Sequence, residues 1–228
     1  MNWKDKLITS FINNSIIKTA ADNDFVSYAD VIEITPKKTQ KQTIDEMAEL
    51  EKRHFTEEFA QDQDEITEEM KEESFLGMQY IDDKSGALGG YIYGFELSGS
   101  DLLEEFDENY IQSVETYNGF LNGIKQDQMY NYICDFIEEN DQKITYVSNF
   151  VMDQEHRFFA HKMLMKFLDL SRSSGKKYLV FQALTDTINL MFDSQGKLKE
   201  RRLNKSNITP LAHIKIVGDE RRIIIVSI

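Results

Sequence analysis

The stretch from residue 144 to residue 183 limits what this chain can fold into more than any other. Residues 144–152, Ile-Thr-Tyr-Val-Ser-Asn-Phe-Val-Met, carry the β-branched and aromatic content of a strand. Residues 154–173 follow with Phe158, Met163, Leu164, Phe167, Leu168 and Leu170 at helical spacing, and Gly175 is the natural stop. Residues 178–183, Tyr-Leu-Val-Phe-Gln-Ala, read as a short apolar strand. A brief helix over 185–193 then ends near Gly196, and two last strands, 213–217 and 222–227, flank the turn Gly218-Asp219-Glu220-Arg221. Upstream, residues 28–35 read as a strand ending at Pro36. Residues 43–55 read as a helix with Thr43 as N-cap and Glu46 three residues on. Residues 75–82 and 87–96 form a β-hairpin through Asp83-Lys84-Ser85-Gly86, with Gly89, Gly90 and Gly94 implying a bulge or a close backbone approach. Residues 97–142 read as an acidic insertion, helical in two pieces. Leu102, Leu103 and Phe106, then Tyr130, Ile133 and Phe136, give it a buried side. This order specifies the α/β or α+β class: a mixed, mostly antiparallel sheet flanked by helices, carrying one acidic helical insertion.

Charge and composition narrow the function. With 228 residues and 41% hydrophobic content, the chain has material for one cored domain plus additions. It carries 26 Lys+Arg against 40 Asp+Glu, a net charge of −14, which argues against general nucleic-acid binding. The single cysteine, Cys134, lies in an apolar helical pattern; it excludes an internal disulfide and a cysteine-rich zinc site, and fits a reducing compartment. No apolar run approaches the roughly 18–20 residues of a membrane span. Residues 1–20 read as an amphipathic helix through Trp3, Leu7, Ile8, Phe11, Ile12 and Ile16, packed on its own domain, on a partner or on a membrane surface, and not as a signal peptide. The expected location is cytoplasmic, or virion-associated if the Asn/Lys/Ile-rich chain is phage-encoded. Residues 45–73 hold 13 acidic and 3 basic side chains, which read as a solvated helix face or a surface for a basic partner. Asp62, Asp64 and Glu65 lack the glycine and the spacing of an EF-hand. Residues 196–228 hold eight basic and three acidic residues. Their cluster at Lys197, Lys199, Arg201, Arg202 and Lys205 reads as a solvated loop, a contact with a ribose phosphate, a contact with nucleic acid, or a match for another subunit's acidic segment. In the last case the chain would form a homo-oligomer or a larger assembly.

Three fragments in this order resemble the GNAT N-acetyltransferase superfamily. Ala87-Leu88-Gly89-Gly90-Tyr91-Ile92-Tyr93 is similar to its third strand. Val151-Met152-Asp153-Gln154-Glu155-His156-Arg157 is similar to the end of its fourth strand and the approach to its cofactor helix. Phe192-Asp193-Ser194-Gln195-Gly196 is similar to the aromatic-x-x-x-Gly before its last strands. The resemblance covers roughly residues 27–96 and 143–228. It implies acetyl-CoA bound where the fourth and fifth strands splay, with the pyrophosphate on N–H groups at a helix start. The family pattern Gln/Arg-x-x-Gly-x-Gly/Ala falls on Arg157, Phe158, Phe159, Ala160, His161 and Lys162. Arg157 fits it, Ala160 replaces the first glycine and Lys162 the second small residue. The backbone at Phe150 and Val151 would face the thioester, and Glu96 would remove the amine proton through water. The acceptor implied is a cationic amine: a polyamine, an aminoglycoside-like compound or a lysine-rich peptide. Phe192 stands where many members have the tyrosine that protonates the leaving thiolate. The departures at Ala160, Lys162 and Phe192 leave a second reading open, a non-catalytic binding or structural module that has lost the cofactor site.

Overall fold

A computed structural model describes residues 29–36, 39, 41–55, 60–82, 84–96, 111–184, 207–216 and 221–228. Its strands are β1 (Ala29–Ile34), β2 (Leu76–Asp82), β3 (Leu88–Phe95), β4 (Ile111–Thr116), β5 (Ile144–Met152), β6 (Tyr178–Leu184), β7 (Thr209–Ile216) and β8 (Arg221–Ser227). Its helices are α1 (Lys41–His54), α2 (Gln63–Glu69), α3 (Met129–Asn140) and α4 (Ala160–Ser173), with 3-10 segments at Gln126–Gln128, Asp141–Lys143 and Gln154–Phe159. The hydrogen-bonded strand order is β1-β2-β3-β5-β6-β8-β7-β4. The β5/β6 ladder is parallel, and β1/β2, β2/β3, β4/β7, β6/β8 and β7/β8 are antiparallel. No described helix is long and apolar enough to cross a membrane.

Contacts divide the chain into two units, Met1–Phe95 with Ser148–Leu170, and Glu96–Val147 with Ser171–Ile228. The first contains the hairpin. Asp82 ends β2 and its carboxylate accepts the Ser85 hydroxyl at 2.6 Å and the Lys84 and Ser85 N–H groups at 3.3 Å, while Gly86 takes φ +69. These short polar bonds close the turn that the sequence predicts. The Ser85 hydroxyl bond also lowers the Asp82 carboxyl below its ordinary range. Every residue of β3 is buried, which marks it as a central strand with two covered faces. The expected close approach is real. A Cβ on Gly90 would lie 2.8 Å from the Val151 carbonyl oxygen, and one on Gly89 would lie 2.6 Å from Tyr80 and from His156. Met47 and Leu50 of α1, Ile66 of α2, and Met163, Phe167 and Leu168 of α4 are fully buried in this unit's apolar core.

Two helix starts differ from the sequence reading. α1 begins at Lys41, so Thr43 lies inside its first turn and is not the cap. The capping box belongs to α2 instead: Asp62 accepts the Asp64 and Glu65 N–H groups at 2.9 Å, and the Glu65 carboxylate accepts the Asp62 N–H at 2.9 Å. The Asp62, Asp64 and Glu65 group therefore starts a helix. The helix expected over 154–173 is a 3-10 segment, Gln154–Phe159, that runs into α4. Its end is as expected: Gly175 at φ +84 follows the last turn, with Gly175 N–H donating to the Arg172 carbonyl and Lys176 N–H to the Ser171 carbonyl, both at 3.0 Å.

In the second unit α3 lays Met129, Ile133 and Ile137 on Val114, Ile144, Val180, Ala212, Ile214, Ile223 and Ile225. Of the two helical pieces expected within 97–142, the second is the helix Met129–Asn140; Ile111–Thr116, which the sequence reading did not anticipate, is a strand paired with β7. Ile-Gln-Ser-Val-Glu-Thr buries only Val114, so its pattern carries no strong period, and the ladder to β7 decides its conformation. Leu102, Leu103 and Phe106 lie outside the described residues, as do the N-terminal helix of 1–20, Phe192 and the basic cluster of 197–205.

β7 also buries a titratable group. His213 is 2% exposed, its Nδ1 lies 3.1 Å from the Tyr117 hydroxyl, and Tyr117 in turn donates to Glu115 at 2.7 Å. Burial lowers the imidazole from 6.5 to about 4, against the opposing pull of the Glu115 carboxylate. The unfolded chain takes this proton near pH 6.5 and the folded chain only near pH 4, so stability falls with pH across that window. At about 1.4 kcal/mol per unit the loss reaches roughly 3 kcal/mol by pH 4. Denaturant unfolding of wild type and His213→Gln at pH 7 and pH 4 measures it. The variant is expected to lose less stability on acidification, and equal losses would refute this account.

Candidate active site

Period-2 alternation along β3 puts Tyr91 and Tyr93 on one face, their rings stacked at 5.7 Å. Two acids come to meet them. Glu51, on the inner face of α1 and fully buried, accepts the Tyr91 hydroxyl. Glu69, the last residue of α2, accepts the Tyr93 hydroxyl at 2.5 Å. Ser148 on β5 places its hydroxyl 3.0 and 3.1 Å from the two Glu69 oxygens. Gln61, just before the α2 cap, has its Oε1 2.5 Å from the Tyr93 hydroxyl oxygen and accepts the Asn149 amide at 2.7 Å. Burial, and then the neighbouring carboxylates, push both phenols above their ordinary range, so both remain proton donors at neutral pH. Glu69 is thus a carboxylate oriented by two neutral hydroxyls from two adjacent strands. A group of this kind can receive an ammonium and take a proton from it. All of these residues belong to the first unit.

The sequence reading missed this constellation. It treated residues 45–73 as one acidic face, and Asp62, Asp64, Glu65, Glu68, Glu72 and Glu73 are indeed exposed. Glu51 and Glu69 turn inward instead. The available signal was Tyr-x-Tyr on an otherwise apolar strand, since a buried phenol needs an acceptor. Glu96, the expected base, follows β3 in the second unit and is ion-paired with the buried Lys176, whose ammonium also donates to the Gln142 carbonyl at 3.0 Å. No cluster of His, Cys, Asp or Glu among the described residues would hold a metal ion.

The residues expected to hold acetyl-CoA lie along one path in the first unit. Phe150 is exposed on β5 and Val151 is buried beside Gly90. The parallel β5/β6 ladder covers only Ile144↔Tyr178, Thr145↔Leu179 and Tyr146↔Val180, although β5 runs on to Met152 and β6 to Leu184. The phosphate side is different. Arg157, Phe158 and Phe159 are inside the 3-10 segment, and Ala160, buried, opens α4 with His161 and Lys162 in its first turn. The side chains of Arg157, Phe158 and His161 fall outside those described. The helical run starts at Gln154, so the N–H groups of 157–162 have carbonyls three or four residues behind them. The true start is capped by the protein itself. Asp153 accepts the Glu155 N–H at 3.4 Å and the Arg53 guanidinium at 2.8 Å, its own N–H donates to the Gly89 carbonyl at 2.9 Å, and Tyr80 stacks on Phe159 at 4.7 Å. The start of the helical run is thus met by the protein's own groups.

The fold is GNAT-like, as its likeness to a solved acetyltransferase shows. Among solved structures, an aminoglycoside 6'-N-acetyltransferase complexed with coenzyme A is similar over 86% of this chain and 96% of its own, with a TM-score of 0.51 and 12% identity. Ard1 from Thermoplasma volcanium covers 88% of this chain and 97% of its own at TM-score 0.49 and 15% identity. A spermidine/spermine N-acetyltransferase from Vibrio cholerae, in complex with manganese ions, covers 89% and 92% at TM-score 0.47 and 11% identity. No family model matches the chain, and no curated protein matches it in sequence.

Proposed function

We propose that this protein is an N-acyltransferase that accepts a cationic amine and draws its acyl group from acetyl-CoA. The observation that carries the reading is Glu69, an inward carboxylate oriented by Tyr93 and Ser148 beside β5 on a GNAT fold. Its charge would attract the ammonium form of the acceptor. Transfer of one ammonium proton to the carboxylate would leave the neutral amine that acts as nucleophile. Asn149, held by Gln61, would orient the acceptor next to β5. A polyamine or an aminoglycoside-like compound fits such a site, since both present several ammonium groups.

The closed start of the helical run favours a second reading, a GNAT-fold module that binds amines or a basic protein without transferring an acyl group. Incubation with millimolar acetyl-CoA and spermidine or an aminoglycoside, read by mass spectrometry, separates the two. Acetylated amine that disappears in Glu69→Gln supports the transferase. Absence of product, with amine binding still seen by calorimetry, overturns it in favour of the module.

A further inference from the structure

We infer that Asn122 is a site of spontaneous covalent modification, in which its side-chain amide closes to a succinimide and opens to aspartate or isoaspartate, and that the fold protects Asn118 from the same reaction. The dipeptide Asn-Gly occurs twice in this chain, at Asn118-Gly119 and Asn122-Gly123, in the turns that follow β4. Glycine is what makes the reaction easy. It has no side chain to shield its backbone nitrogen, and its freedom of φ and ψ lets that nitrogen approach the preceding amide. By sequence alone the two sites are equivalent.

The structure separates them. Access does not: all four residues are exposed, and nothing lies within 4 Å of a Cβ placed on either glycine. Neither glycine N–H donates a hydrogen bond among the described residues. The difference lies in the amides. Asn118 at φ +54 and Gly119 at φ +79 form a type I′ turn, closed by the Phe120 N–H on the Tyr117 carbonyl at 3.0 Å. From this turn Asn118 Nδ2 donates to the Pro210 carbonyl of β7 at 2.8 Å, in a part-buried bond. The amide must break that bond before it can meet the Gly119 nitrogen. Asn122 has no such anchor. Its side chain makes no hydrogen bond among the described residues. Its turn is closed by backbone alone, Asn122 N–H to the Gly119 carbonyl and Ile124 N–H to the Leu121 carbonyl, both at a long 3.2 Å.

In the reaction the Gly123 nitrogen attacks the Asn122 side-chain carbonyl carbon and gives up its proton. The bond from that carbon to Nδ2 breaks, and ammonia leaves with the proton. Water then adds to either ring carbonyl and breaks its bond to the ring nitrogen, giving aspartate or isoaspartate. Both products add a negative charge to the turn. Isoaspartate also lengthens the main chain between Leu121 and Ile124, which pack on the core of the second unit, so the modified chain is expected to melt lower.

Incubation of the full chain in mildly alkaline buffer, folded and in parallel in urea, tests the assignment. Peptide mapping with fragmentation by mass spectrometry resolves the two sites. In urea both asparagines are expected to convert at similar rates. In the folded chain Asn122 is expected to convert about tenfold faster than Asn118, the factor that one retained hydrogen bond accounts for. Asn122→Gln, whose amide would have to close a larger ring, is expected to remove the fast site and leave Asn118 unchanged. Equal conversion of the two in the folded chain, or faster conversion of Asn118, overturns the protection by Pro210. Conversion of both in urea and of neither in the folded chain overturns Asn122 as a site, and absence of conversion in urea overturns the chemistry at both. None of these outcomes depends on the acyl-transfer reading.

Discussion

Glu69→Gln is expected to lower the turnover of amine acetylation by roughly 10²–10⁴-fold while leaving the fold intact. The carboxamide matches the carboxylate in shape, and its oxygen still accepts a bond from Tyr93 or Ser148, but it cannot take a proton. The ammonium would also lose its counter-charge, so KM for the amine should rise along with the fall in kcat. Ser148→Ala removes only one of the two orienting hydroxyls, and Tyr93→Phe removes the other. Each should cost about tenfold or less, in keeping with the roughly 1 kcal/mol net worth of a hydrogen bond. Steady-state rates at saturating acetyl-CoA, with melting curves to verify folding, decide the matter. A Glu69→Gln protein that retains wild-type turnover would remove Glu69 from the chemistry. Equal losses in all three variants would point to a site held together structurally rather than to one proton acceptor.

The largest single effect on stability is expected from Gly90→Ala. Its Cβ would sit 2.6 Å from Met152 Sδ, 2.9 Å from Met152 Cε and 2.8 Å from the Val151 carbonyl oxygen. The methionine can rotate away, but the carbonyl belongs to β5 and cannot. Separating β3 from β5 would disturb a strand that is buried along its whole length. Overpacking of this kind costs about 1–3 kcal/mol, occasionally more, and lowers the melting temperature by several degrees in a chain of this size. Gly86→Ala gives the contrast. Nothing lies within 4 Å of its Cβ, and only the φ of +69 opposes the substitution, at about 1–2 kcal/mol. Thermal melting of both variants should rank Gly90→Ala as the more damaging. The reverse order would mean that β5 yields more readily than a central strand should.

What could be read in advance was local. The β2/β3 turn lies within four residues of itself, the Gly175 stop is one residue with one conformational property, and the apolar content of 144–152 needs no partner to be noticed. Each is a short-range preference that the folded chain leaves in place, and together they specify the element order and so the fold class. Long-range pairing decided the remainder. Ile111–Thr116 is a strand only because β7, about 100 residues later, supplies its ladder. Nothing near Glu96 in sequence announces Lys176 as its ion-pair partner, and nothing near Asp153 announces that Arg53 and Glu155 take its two oxygens. Glu51 and Glu69 look like their acidic neighbours in sequence. A buried tyrosine hydroxyl on β3 turns each of them inward, because a buried phenol and the carboxylate beside it satisfy each other's polar groups, and no count of charges along the chain carries that information.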